Sequence, residues 1–392
     1  MTVDKKIKTK LNTMYFIAYA GLACYSPFLI VYFKYRTLDF TQIGVMFATL
    51  SIVGVISQPI WGYITDKFLD ARTTLIIVML CSGISIFTMT FASDFYTVLI
   101  SMVLIAVFQS SLFPILDAFC YKIASEQENI QYGKARIRGS LGYAISVVLC
   151  GVIIKLTNIT VPFYLYCALM LAGIIIMSTI NYKVKTYEQR ININDVVNLF
   201  KERRFLLFIL SVTLLNISLG ANVNYIGELM KQTGGDVSNL GFLWFINSTS
   251  EIPVIYLSSR ILSRFKDLHL YYIGIIFYLI RFFADSSCTS WQAVIAVQAL
   301  QSVSFALYIT STLHFLNRII KPTMKTSGIT IYVAITGGIG GFIGNLGGGI
   351  IVGTFGIFWL YRILVVICVL ALFTGLFIEK DTKYKELYPV PD

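Results

Sequence analysis

Twelve long apolar runs divide the chain, at about 12–33, 41–63, 73–92, 95–123, 138–157, 160–181, 204–229, 239–261, 268–285, 289–317, 326–352 and 356–378. Each is long enough to cross a hydrocarbon core, which takes about 20 residues of helix. A spanning strand would need only about 10 residues of alternating polarity. No such pattern occurs, so the runs read as helices rather than as the strands of a barrel. Only 13% of the 392 residues are charged and 57% are apolar, against about 25% charged in soluble domains. The expected fold class is an all-α integral membrane protein with twelve transmembrane helices.

The formal net charge is +11. In a soluble protein that excess would suggest nucleic acid; in a chain this oily it reads as the positive-inside rule, and no nucleic-acid partner is expected. With the N-terminus placed inside, roughly four-fifths of the 31 Lys and Arg fall on the inner side, which implies an even number of spans and both termini in the cytoplasm. The first run follows a cluster of lysines but is long and lacks a cleavage signature, so it is expected to be a retained span. The compact loops suit a bacterial inner membrane. A monomer in a lipid bilayer is expected.

The longest polar interruption follows the sixth run and sets the expected division: a first six-helix bundle at 1–181, a cytoplasmic linker at 182–203, and a second six-helix bundle at 204–392. The fifth run opens with Gly139 and Gly142; the eleventh, at the same place in the second half, carries a glycine cluster from Gly337 to Gly349. Small residues let helices approach closely in lipid. Two such halves form a pseudo-symmetric transporter architecture. The 7 cysteines are scattered through the runs without paired spacing and read as small packing residues. There is no phosphate-binding glycine loop ending in Lys and Ser or Thr, so no nucleotide drives the protein from within this chain. Neither a metal-ligand cluster nor a catalytic constellation is evident, and no cofactor, metal or enzymatic activity is expected.

Two motifs stand out. The stretch from Gln58 to Arg72 contains Gly62, Asp66, Lys67 and Arg72 in an inner loop. It resembles the loop signature of the major facilitator superfamily, without that signature's second glycine. The glycine would allow close helix approach, and the charges would form an inner-side gating latch. The second motif runs P-x-x-D-A from Pro114, then Y-G-K-A-R-I-R-G-S-L-G-Y from Tyr132 to Tyr143. It resembles the lactose permease branch of that superfamily and its phenylpropionate permease relatives. The resemblance implies substrate contact by Asp117 and Arg136, and by Tyr143 where the lactose permease has a stacking tryptophan. Arg138 departs from the pattern. A carboxylate accepts bonds from sugar hydroxyls, and a guanidinium offers a planar fork to hydroxyls or a carboxylate. The alternative is an Asp117–Arg136 ion pair that merely holds the hairpin.

In the second half, Glu251 lies in the middle of an apolar run, two residues before Pro253. An intramembrane carboxylate marks a functional site, and the cost of its charged form lets it take up a proton. The resemblance implies that Glu251 joins substrate binding to proton coupling; the alternative is neutralisation by Arg281. The relatives' tenth-helix proton relay is replaced here by Gln298, Gln301 and Ser304, which leaves the coupling to Glu251, Asp117 and Arg281. Without the expected acidic partner, Arg281 is also a candidate for a substrate carboxylate. In the seventh run Asn222 and Asn224 are two apart and so lie on different helix faces; one or the other, Asn222 first, is a candidate cavity residue, and Glu228 reads as a solvated or helix-end group.

The resemblance implies a secondary transporter driven by a proton gradient, with protons and a small-molecule substrate as its partners. A sugar, glycoside or nucleoside is expected first. Aromatic or other organic acids, drug efflux, and a non-transporting receptor or scaffold are the alternatives.

Overall fold

A computed structural model of the protein describes residues 3–127, 130–180, 199–320 and 324–379. The linker expected at 182–203 lies outside the described residues as far as position 198. Among the described residues there are helices and no strands. In chain order the α-helices are α1 Val3–Tyr25, α2 Leu29–Tyr35, α3 Phe40–Lys67, α4 Ala71–Met89, α5 Phe95–Glu126, α6 Tyr132–Leu156 and α7 Val161–Ser178. There follow α8 Arg203–Gln232, α9 Val237–Arg264, α10 Asp267–Asp285, α11 Trp291–Gln298, α12 Gln301–Ile319, α13 Lys325–Val333, α14 Gly341–Phe355 and α15 Ile357–Glu379.

Eleven helical segments among the described residues are long and apolar enough to cross a bilayer. The remaining expected run, 239–261, is a single helix of 28 residues, α9. Its middle carries Asn247, Ser248, Thr249, Ser250 and Glu251, a polar stretch that distinguishes it from the other spans. Three expected runs are internally broken. A 3-10 turn at Ser26–Phe28, with Pro27 in its first turn, separates α1 from α2. The tenth run breaks between Gln298 and Gln301. The eleventh holds a π-helical segment, Ala334–Gly340, between α13 and α14. Side chains cap the entries where the sequence supplies them. Asp39 and Gln42 form a reciprocal capping box at α3, and Asp94 and Thr97 another at α5, each satisfying backbone donors that the first turn leaves open.

The chain divides into two compact units: Met1–Glu188 with Gly234–Thr249, and Gln189–Thr233 with Ser250–Asp392. In the first, α6 packs on α1 through its glycines. A Cβ at Gly139 would lie 2.6 Å from Cδ2 of Tyr19, and one at Gly142 would strike the backbone of Phe16. In the second, Gly340, Gly344 and Gly348 turn one face toward α8. A Cβ at Gly344 would meet the Ile217 carbonyl, and one at Gly348 would lie 2.8 Å from the Tyr225 ring. The two glycine clusters of the sequence thus do the same job in both halves: they bring a helix against the first long helix of its half.

The outer helix faces carry large apolar side chains such as Leu149, Ile175, Phe283 and Phe373, each more than half exposed. In water such a surface would be anomalous; against hydrocarbon it is the expected exterior. All seven cysteines are free, with the sulfurs of Cys24 and Cys150 3.5 Å apart.

Candidate functional site

In the first unit, α1, α5 and α6 bring an acid, a base and a set of rings together. Tyr15 and Tyr19 are one turn apart on α1, Phe113, Asp117 and Tyr121 one turn apart on α5, and α6 begins with Tyr132 and carries Arg136, Gly139 and Tyr143 on one face. The Tyr15 hydroxyl donates to Asp117 Oδ1 at 2.6 Å, and the Tyr132 hydroxyl interacts with the same carboxylate. Tyr132 stacks on Tyr121 with ring centroids 3.9 Å apart and meets Tyr15 edge-on at 6.2 Å. Arg136 sits over the Tyr19 ring, 4.5 Å from its centroid, and Phe113 lies 4.5 Å from Tyr19 on the other helix.

Asp117 is half-buried and Arg136 is exposed. Asp117 is held by tyrosines, and no ion pair between it and Arg136 is found among the described residues. The hairpin-holding alternative is therefore not what the structure contains. Gly139 is what lets Tyr19 lie flat against α6, one turn from the guanidinium it supports. Tyr143 is half-buried on the same face of α6 as Arg136. Tyr15 and Tyr19 stack with centroids 6.5 Å apart, so the carboxylate on one ring and the guanidinium on the next border a single aromatic cluster that can bind hydroxyls and stack on a ring at once.

The second unit contains a continuous polar chain through its core. Gln301 Nε2 donates to Glu251 Oε1 at 3.0 Å. The guanidinium of Arg281 donates through Nη1 to Gln301 Oε1 and through Nη2 to Gln298 Oε1. Gln298 Nε2 in turn donates to the Asp285 carboxylate at 3.3 Å. Arg281, Asp285 and Gln298 are all 0% exposed. No direct ion pair between Arg281 and a carboxylate is found among the described residues; Asp285, one turn along its own helix, is reached through Gln298. Gln298 and Gln301 are the connectors that join Arg281 to both carboxylates.

Asn222 is buried and its Oδ1 accepts from the Tyr361 hydroxyl at 3.0 Å. Glu228 lies one turn from the helix end and is not solvated: it is 5% exposed and accepts from Gln232 at 3.0 Å. Around Gly62 there is open space, so close helix approach is not the reason for that glycine. Arg72 donates to the Met177 and Ser178 carbonyls, and Lys10 reaches the Thr179 carbonyl at 2.8 Å. Both cations thus cap the C-terminus of α7, where the helix dipole favours positive charge. Lys67 donates to the Tyr63 hydroxyl at 2.7 Å, and Asp66 is exposed on the same last turn of α3.

Lys155 Nζ, in the last turn of α6, lies 2.6 Å from Asp236 in the loop before α9. Partial burial works against the Asp236 charge, but Lys155, the Ser238 hydroxyl and the Asn239 N–H outweigh it and hold the carboxyl well below its usual range. At the start of α5 the Thr97 hydroxyl and N–H likewise hold Asp94 low.

Five residues of these clusters carry no part in the motif argument: Tyr15, Tyr19, Phe113, Tyr121 and Asp285. Their only signal in the sequence is spacing, with Tyr15 and Tyr19, Phe113 and Asp117, Asp117 and Tyr121, and Arg281 and Asp285 each one helical turn apart.

A multi-pass bundle of apolar helices with polar clusters within each unit is the setting of a membrane transporter, and the family match agrees. The MFS_1 like family profile matches residues 8–363, and the chain belongs to that family. It is similar to the uncharacterized transporter YwbF of Bacillus subtilis, 26% identical over 97% of this chain and 96% of the relative. It is also similar to a maltose permease of Geobacillus stearothermophilus, 24% identical over 87% of each chain. The crystal structure of the nucleoside transporter NupG superposes with a TM-score of 0.85 at 17% identity, covering 96% of this chain and 99% of that one.

Proposed function

We propose that the protein is a proton-coupled uptake carrier for a small hydroxyl-bearing solute, a sugar, glycoside or nucleoside, which it moves by alternating access. The observation that carries this reading is the first-unit cluster, in which Asp117 and the exposed Arg136 stand among Tyr15, Tyr19, Phe113, Tyr121 and Tyr132. Asp117 accepts bonds from solute hydroxyls, Arg136 donates to them, and the rings, with Tyr143 beyond, cover the apolar face of a sugar or a base. A maltose permease among the relatives and a nucleoside transporter among the structural neighbours are in keeping with that class. Glu251 is the coupling carboxylate: it takes up a proton from one side of the membrane and releases it on the other. The gradient is the only driving force required. Gly62, Asp66, Lys67 and Arg72 act as the inner gating loop, with Arg72 anchored on α7.

One observation favours a second reading. Arg136 is not neutralised by Asp117, so its guanidinium is available to a substrate carboxylate, which suits an aromatic acid. Arg281 no longer suits that role, because both ends of its guanidinium are engaged in the core of the second unit.

A thermal-shift screen of the purified protein against sugars, nucleosides and aromatic acids at two pH values separates the readings. Stabilisation by a hydroxylated neutral solute, followed by saturable uptake in vesicles, is the expected result. Stabilisation by acids alone would select the second reading, and binding without flux would make the protein a receptor.

A further inference from the structure

The proposed mechanism uses only one end of the polar chain in the second unit. That chain runs Glu251, Gln301, Arg281, Gln298, Asp285, and it is symmetric about the arginine. Each glutamine presents its carbonyl to the guanidinium and its NH2 to a carboxylate. A guanidinium is not deprotonated in proteins. An isolated buried charge is heavily penalised, above all at membrane depth. Arg281 therefore needs one ionised carboxylate beside it. It has two, each one amide away, and its charge acts on both. Among the described residues, the other titratable groups facing the chain are Tyr278 on α10, Tyr361 on α15 and Cys288 beyond the end of α10. Tyrosine and cysteine are ordinarily neutral near pH 7. One cation and two carboxylates are electrically balanced when a single proton is held between them.

We infer that Asp285 and Glu251 form a carboxylate pair that shares one proton across Arg281. When Glu251 carries the proton, Asp285 is the counter-ion of Arg281. When Glu251 releases it, the core gains a negative charge unless Asp285 takes the proton up. Gln298 and Gln301 keep both carboxylates in hydrogen-bonded contact with the guanidinium in either state. Asp285 is thus a positioning residue for coupling: it acts on Glu251 through Arg281. The inference rests on Glu251 as the coupling carboxylate, and it limits the second unit to one transported proton per cycle.

The test counts protonated carboxyl groups in the full-length protein in lipid nanodiscs. The readout is the carboxylic-acid C=O stretch in the infrared at neutral pH, taken as a difference against wild type, so that any other protonated carboxyl cancels. Glu251→Gln should lose one carboxylic acid. Asp285→Asn should also lose one, because Glu251 then becomes the sole counter-ion and ionises. Arg281→Gln should gain one, Arg281→Lys should leave the count unchanged, and Asp285→Glu should restore the wild-type count. A proton fixed on either carboxylate alone would make only one of the two carboxylate variants lose the band, and that result overturns the inference. Should Arg281→Gln fail to fold, the comparison of Asp285→Asn, Asp285→Glu and Glu251→Gln decides the matter by itself. The pH profile of uptake is the second arm: Asp285→Asn should flatten it as Glu251→Gln does. If the band counts come out as expected while wild-type uptake is independent of pH, the shared proton stands and the coupling reading falls.

Discussion

Gly139→Ala perturbs the proposed substrate cluster without removing any polar group. The new methyl would sit 2.6 Å from Cδ2 of Tyr19 and 3.1 Å from its Cε2 and Cγ. Carbon atoms rest at about 3.5–4.0 Å, so the near edge of the ring must retreat by roughly 1 Å or α6 must move off α1. The same ring carries the Arg136 guanidinium 4.5 Å from its centroid. If the ring retreats, the stack is lost, at about 0.5–2 kcal/mol. At 1.4 kcal/mol per factor of ten, substrate affinity then falls by about 2- to 30-fold. If α6 moves instead, overpacking costs about 1–3 kcal/mol of stability, and the geometry of Arg136 is disturbed as well. The assay is the concentration dependence of substrate binding to purified protein, read beside the melting temperature. Gly133→Ala is the control: it lies in the first turn of α6, where a Cβ would meet nothing within 4 Å. Wild-type affinity in Gly139→Ala, with a normal or lowered melting temperature, would refute the role of the Tyr19–Arg136 stack in binding.

Other expected outcomes are separable from that one. Glu251→Gln should retain substrate exchange but lose uphill, pH-driven accumulation in proteoliposomes; normal accumulation would remove Glu251 from coupling. Tyr15→Phe deletes the 2.6 Å bond to Asp117. A bond to a charged group is worth about 1.5–3 kcal/mol, and less where part-exposed, so a lower melting temperature and weaker substrate binding are expected together; a change in neither would disconnect Tyr15 from the site. Lys155→Ala should cost at most about 1 kcal/mol at neutral pH and less in high salt, since the two side chains are 56% and 42% exposed. The Asp236 carboxyl is depressed in the folded state, so the pair's contribution is fully present above the unfolded value near 3.9. It fades as the pH falls through the lower folded value. Wild type and variant should therefore converge in strong acid, and a gap that widened on acidification would contradict the assignment.

The fold was legible because hydrocarbon thickness dictates run length, a constraint that acts on each span alone. Hydropathy also located the polar α9 run and the matched glycine clusters. It did not locate Tyr15 and Tyr19, which read as two of many aromatics in an oily segment. In water a helix shows its core face by contrast with its polar face; in lipid both faces are apolar, and the contrast that would aim Tyr19 at Arg136 disappears. Asp285 escaped for a different reason. It closes an apolar run and reads as a helix-end group, and its tie to Arg281 passes through Gln298, thirteen positions further on. Reading Gln298 and Gln301 as a lost relay was an argument from residue type, whereas an amide bridges a cation and an anion as readily as it replaces either.

Asp117 and Arg136 are the residues proposed to hold the substrate. Calorimetric titration of purified Asp117→Asn and Arg136→Ala with the solute selected in the screen tests that role most directly. Each variant should stay folded, as judged by its melting curve, and should lose at least about 10-fold in affinity, the equivalent of one hydrogen bond to a charged group. Wild-type affinity in both variants would place the substrate elsewhere.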